Sequence, residues 1–122
     1  MGKRILIVDD DSKIASSIEF LLRREGHDVE VVTSVNDAIE CVEEFWPELA
    51  FVSVNLPDKS GYELCAALRA IPTEAPPYLV LVSPVFDESV QANQRSAGAD
   101  DCIQYPFVTL DLLSRIRPIL EK

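Results

Sequence analysis

The chain has 122 residues, 48% of them hydrophobic and 26% charged, with a formal net charge of −10. That length suits a single domain with a proper core, and the balance is globular rather than disordered. The acidity argues against the phosphate contacts on which nucleic-acid binding rests, and no apolar stretch approaches the roughly 20 residues of a membrane span.

Met1-Gly2-Lys3-Arg4 sets basic residues before an apolar run, but Asp9-Asp10-Asp11 limits that run to Ile5-Leu6-Ile7-Val8. It reads as a buried strand and not as a signal peptide. Ser12 is the expected N-cap of a first helix whose stripe is Ile14, Ile18, Leu21 and Leu22, stopped by Gly26. His27, the only histidine, falls in the following turn and is expected to be solvent-exposed. Val29-Glu30-Val31-Val32 carries a charge and suits an edge strand. Ser34 caps a second helix with Asp37 three residues on and with Ala38, Val42 and Phe45 facing inward, and Pro47 closes it. Phe45 and Trp46 are expected to pack locally against that proline.

Leu49-Ala50-Phe51-Val52 is apolar throughout and leads into Ser53-Val54-Asn55-Leu56-Pro57-Asp58-Lys59-Ser60-Gly61. Leu64, Ala67, Leu68 and Ile71 mark a third helix before the Pro72 to Pro77 loop. Tyr78-Leu79-Val80-Leu81-Val82 follows, another run apolar on both faces, as in a covered parallel strand. Asp87 opens a fourth helix with a weaker stripe of Val90, Asn93, Gln94 and Ala97. Asp101-Cys102-Ile103-Gln104 contains polar residues and suits the second edge. Leu110, Leu113, Ile116 and Leu120 build the last helix, with Asp111 early, Lys122 at its end and an unusual Pro118 inside it.

Five strand–helix units read as a doubly wound α/β sandwich around a five-stranded parallel sheet, because right-handed crossovers put helices on both faces. No repeat or linker interrupts residues 1–122, which are expected to form one domain. Cys41, Cys65 and Cys102 are widely spaced and odd in number, without a C-x-x-C or a Cys/His cluster. Disulfide scaffold and zinc site therefore both fail, and a cytoplasmic chain with buried thiols is expected.

Functional groups of open parallel sheets gather at the carboxyl ends of the strands. Those ends present Asp9, Asp10 and Asp11, then Ser53, then Ser83, and finally Tyr105-Pro106-Phe107. Acidic pairs at such a place can hold a magnesium ion through oxygen ligands, while helix capping would explain any one of the three aspartates.

In these residues the chain resembles the receiver domain of bacterial two-component response regulators (the CheY-like family). The resemblance spans the whole chain. It rests on the Ile-Leu-Ile-Val-Asp-Asp opening, the Asn55-Leu56-Pro57 and Gly61 turn, Ser83, Ala97-Gly98-Ala99-Asp100-Asp101, and Pro106-Phe107. It implies a flavodoxin-like sandwich with strand order 2-1-3-4-5. By position, Asp9 and Asp10 resemble the family's magnesium-binding pair and Asn55 the residue whose carbonyl joins them. Ser83 resembles the hydroxyl that swings toward the phosphoryl group, and Pro106 the proline after a cis bond.

Four departures set this chain apart from that pattern. Ser53 stands where the resemblance places the phosphate-accepting aspartate, and a hydroxyl cannot form an acyl phosphate. Tyr105 stands where a lysine normally meets the phosphoryl oxygens. Pro84 follows Ser83, where a backbone N–H normally donates, and proline has none. Cys102 replaces the aromatic that turns inward in many receivers. Losing the aspartate and the lysine together leaves the formal charge of the pocket unaltered, and a lysine left without its partner would be costly to bury.

The expectation is a pseudo-receiver, degenerate in its switch chemistry, that works in signal transduction as a phosphorylation-independent protein-interaction module. Its partner would be a protein, or a second copy, met through the fourth helix, fifth strand and fifth helix. No cofactor is expected, with magnesium at most weakly held. The alternative is a receiver-like switch triggered by phosphorylation of Ser53 or by another input. An aspartate-based phosphatase is the third reading, and lacks its lysine and late acidic ligands, so no enzyme is expected.

Overall fold

A computed structural model describes residues 2–121. Met1 and Lys122, the latter expected to complement the last helix dipole, lie outside the described residues. Five strands alternate with five helices: β1 (Arg4–Val8), α1 (Ser12–Arg24), β2 (Asp28–Val32), α2 (Val35–Glu44), β3 (Leu49–Ser53), α3 (Gly61–Arg69), β4 (Tyr78–Ser83), α4 (Glu88–Ala97), β5 (Asp101–Gln104) and α5 (Thr109–Leu120). The strands pair in parallel in the order 2-1-3-4-5, so the two strands with polar residues lie at the edges as expected.

Alternation along each strand sorts the core into two layers. Leu6, Val8, Ala50, Val52, Leu79 and Leu81 face α2, α3 and α4, where Ala38, Val42, Leu64 and Leu68 meet them. Ile5, Ile7, Phe51, Val80, Val82 and Ile103 face α1 and α5, meeting Ile18, Leu22, Leu112 and Ile116. Each Val, Leu, Ile or Phe among them, once buried, contributes about 1.5–3 kcal/mol of transfer free energy. No described helix is long and apolar enough to cross a membrane.

Several local expectations are corrected. The N-cap of α1 is Asp11, whose carboxylate accepts from the Lys13 and Ile14 amides; Ser12 is already the first helical residue. Leu110 is 72% exposed, and Leu112 takes the inward position instead. The helix begins at Thr109, and its first turn sets Leu110 on the outward side and Leu112 in the core layer with Leu113 and Ile116. His27 is half-buried rather than exposed, its Nδ1 accepting the Lys3 N–H at 3.1 Å. Burial lowers the pKa of this imidazole. Trp46 does more than pack locally, because its indole N–H donates to the Ala75 carbonyl at 2.8 Å and pins the loop before β4.

Arg69 at the end of α3 joins three segments. Its guanidinium donates to the Gly98 carbonyl (2.7 Å), the Pro77 carbonyl (2.8 Å) and the Asp100 carboxylate (2.6 Å). Gly98 closes α4 at φ +80°, where a side chain would be strained and would also press on Arg69.

Candidate functional site

The carboxyl ends of β1, β3 and β4 open into a cleft of about 330 Å³. Seven of the nine site residues named from the sequence line it: Asp9, Asp10, Ser53, Asn55, Ser83, Pro84 and Tyr105. Asp11, Ile14 and Val82 complete the lining, while Cys102 and Pro106 stand outside it.

Asp9 continues the ladder of β1 by donating its N–H to the Val32 carbonyl at 3.0 Å, which carries its side chain into the cleft. The residue is only 3% exposed, and one carboxylate oxygen accepts the Asp11 N–H at 2.9 Å. Burial holds its pKa above the ordinary carboxylate value; the Asp11 amide opposes this, and the charges of Asp11 and Asp10 add to it. Desolvation, more than like-charge repulsion, is therefore the leading cause. Asp10 is exposed at the mouth, and Asp11 is occupied with capping α1. The three aspartates thus have three different environments.

Ser53 is the last residue of β3 and pairs with Val82 of β4. Its hydroxyl is engaged within its own turn, donating to the Asn55 carbonyl at 3.2 Å and accepting the Asn55 N–H at 3.3 Å. Gly61 lets this turn fold back on the strand, for its N–H donates to the Val54 carbonyl at 3.0 Å. A β-carbon at Gly61 would collide with the Ser53 carbonyl, so the first residue of α3 has to be small.

Ser83 is 2% exposed, and its hydroxyl accepts the Val85 N–H at 3.2 Å across Pro84. Its carbonyl accepts the Tyr105 N–H at 2.8 Å, and the Gln104 side chain donates to the Pro84 carbonyl at 3.1 Å. The loops after β4 and β5 therefore leave the sheet side by side. Tyr105 is half-buried and meets Phe107 edge-on, with ring centroids 5.7 Å apart. The bond from Tyr105 to Pro106 is cis, as the resemblance implied, and Pro106 is exposed on the side away from the cleft. Cys102 is buried against the α3 and α4 layer, where burial and then the charge of Asp101 push its thiol up to about 11.

Sequence reasoning passed over Asp58. Its carboxylate reaches the N-terminus of α2, accepting the Val35 and Asn36 amides, each at 2.9 Å. Those two hydrogen bonds hold its pKa below the ordinary value. The only available signal was an aspartate inside the turn after β3, because its partners are 23 and 22 residues away.

The cleft lining holds three carboxylates and no lysine, arginine or histidine. Among the described residues, no group of three or more His, Cys, Asp or Glu side chains is placed to hold a metal ion.

The model of the response regulator receiver domain family matches residues 5–117. The chain belongs to the response regulator receiver domain family. It is similar in structure to a protein assigned as a response regulator from Chloroflexus aurantiacus, at 30% identity and a TM-score of 0.92 over 100% of both chains. A CheY-like receiver domain protein from Methanospirillum hungatei matches at 30% identity and a TM-score of 0.89, covering 99% of this chain and 95% of the other. The beryllofluoride-activated receiver domain of DrrB, from Thermotoga maritima, matches at 29% identity and a TM-score of 0.88 over 100% of both. Membership places this receiver domain in two-component signalling, where such domains act through contacts with other proteins.

Proposed function

We propose that this receiver domain acts as a protein-interaction module that is not phosphorylated on aspartate. The observation that carries the reading is the hydroxyl of Ser53, tied to the Asn55 carbonyl at the strand end where the family's acceptor belongs. An aspartyl switch needs a carboxylate nucleophile, a cation for the phosphoryl oxygens and an amide donor. Ser53, Tyr105 and Pro84 occupy those three places by resemblance and supply none of them. Phosphorylation of Ser53 is disfavoured on the same grounds, since Asp9 and Asp10 would face the added charge.

The residues also fit magnesium poorly. The oxygens at hand are the carboxylates of Asp9 and Asp10 and the Asn55 carbonyl, and that carbonyl already accepts from Ser53. A hard cation with strict octahedral demands gains little there. The reading accordingly assigns no catalytic residue and no resident cofactor. Cys102 and the hydroxyl of Ser83 become core and loop-bracing groups in place of switch elements.

The test is a titration of the ¹⁵N-labelled chain with beryllofluoride and magnesium, followed by amide NMR, alongside incubation with acetyl phosphate and intact-mass measurement. We expect no saturable shift near Asp9, Asn55 or Ser83 and no added phosphate. A saturable, magnesium-dependent response to beryllofluoride would overturn the reading.

A further inference from the structure

Another cavity, of about 410 Å³, lies at the opposite pole of the sheet from the cleft. It sits where β1 and β2 begin and where α1 and α5 end, since Lys3 and His27 precede those strands and Glu25 and Glu121 cap those helices. Its volume falls within the roughly 300–1,000 Å³ of small-molecule sites. The wall is hydrocarbon. Leu22, Leu113, Ile116 and Leu120 supply it, each at most 8% exposed and held in the core layer under α1 and α5.

The rim is polar and carries both signs. The Nδ1 of His27 accepts the Lys3 N–H, so the hydrogen of the neutral imidazole sits on Nε2, a donor on a ring that lines the cavity. Burial favours that neutral form. Arg117 gives Nε and Nη2 to one oxygen of Glu25, at 3.1 and 3.0 Å, which leaves Nη1 to donate elsewhere. Donors of this kind suit a carboxylate. Glu121 is exposed one helical turn beyond Arg117, on the same side of α5. It stands with the C-termini of two helices, whose partial negative charge favours a cation. Around the rim, Lys3 and Arg117 balance Glu25 and Glu121. A zwitterion keeps that balance, whereas a lone carboxylate would add to a chain already at −10.

We infer that this cavity binds a free amino acid with a branched or aromatic hydrocarbon side chain. The hydrocarbon rests on the leucine and isoleucine wall, the carboxylate accepts from His27 Nε2 and Arg117 Nη1, and the ammonium meets Glu121. Bound there, the amino acid bridges the ends of α1 and α5 and gives the domain an input that does not pass through the cleft. The cavity shares no lining residue with the cleft, so the inference stands apart from the reading of Ser53.

The test titrates the full ¹⁵N-labelled chain with L-leucine and L-phenylalanine, and with three fragments: isocaproate, which lacks the ammonium, isoamylamine, which lacks the carboxylate, and glycine, which lacks the hydrocarbon. We expect saturable amide shifts at residues 22–27 and 113–121, a shift of the His27 Nε2 resonance, and a Kd of about 1 mM or tighter for one or both amino acids. Each fragment should bind about tenfold more weakly or worse. Glu121→Gln should weaken the amino acid about tenfold and leave isocaproate unchanged, a separation that a merely structural role would not produce. Glu121 is exposed, so the melting temperature of that variant should stay within a degree or two of the parent. Arg117→Gln should weaken both ligands. No saturable shift with either amino acid at tens of millimolar would overturn the inference. So would a fragment that binds as tightly as the amino acid, undiminished binding by Glu121→Gln, or shifts centred on the cleft. Shifts at the same amides that grow with protein concentration alone would place a second copy over the cavity and overturn it as well.

Discussion

Asp9→Asn should stabilise this receiver domain at neutral pH. The wild-type carboxylate is 3% exposed, has two aspartates as neighbours and shares its cleft with no basic side chain. Holding a charge in such a place costs several kcal/mol in general, and about 2 kcal/mol is reasonable where one edge meets water. Asparagine keeps an oxygen for the Asp11 N–H but loses the charge assistance of that bond, about 1 kcal/mol. The balance is a gain of about 1 kcal/mol, or roughly 4 °C in melting temperature for a domain of this size.

The pH dependence gives the argument its sign. The folded pKa of Asp9 lies above its ordinary value of 3.8. Between those two values the folded state holds a proton that the unfolded state has released, so the contribution of Asp9 to stability falls as pH rises through that window. The advantage of asparagine should be full at pH 7, shrink as pH drops through the folded pKa, and nearly vanish below the ordinary value. Paired urea unfolding curves at several pH values, in chelator, measure it. An asparagine variant that is less stable at pH 7, or one whose advantage is unchanged down to strongly acidic pH, would refute the assignment of a desolvated carboxylate.

Other outcomes follow from the same geometry. Phe51→Ala should cost about 3–5 kcal/mol by urea unfolding, whereas Leu110→Ala should fall within about 0.5 kcal/mol of the parent. Alkylation at mildly alkaline pH with mass detection should find half-buried Cys41 ahead of the others. Cys65 and Cys102 should react only on unfolding, since burial pushes their thiols up to about 12 and about 11. Asp58→Ala should lower stability at neutral pH and speed amide exchange at Val35 and Asn36, which lose their acceptor. Because the folded pKa of Asp58 is lowered, its contribution is present above the ordinary carboxylate value and is lost as pH falls through the folded one, so the difference should fade in acid.

The strands were legible because parallel strands covered on both faces have no polar interruption, while their full order came only from the family resemblance. Only Glu30 and the ends of Asp101–Gln104 broke that rule, and they marked the edges. The cleft was legible for the same reason, as strand ends locate its residues. What escaped was side-chain direction at helix starts. Asp11 and Ser12 are both good caps, and the choice depended on where β1 released the chain. Leu110 and Leu112 are chemically equal, and only the docking angle of α5 decides which is inside. Asp58 could not be placed from local spacing, since its acceptor role is created by the approach of α2.

The Arg69 clamp has a mechanical consequence. It ties α3 to the end of α4, the loop before β4 and the entry to β5, all at the lower edge of the sheet. At the upper edge, the segments carrying Phe86 and Val108 are joined by the Ser83–Gln104 strand pair, the Gln104 side chain and the Tyr105 amide. The α4–β5 margin is thus tied by a charged guanidinium at its base and by neutral hydrogen bonds at its lip.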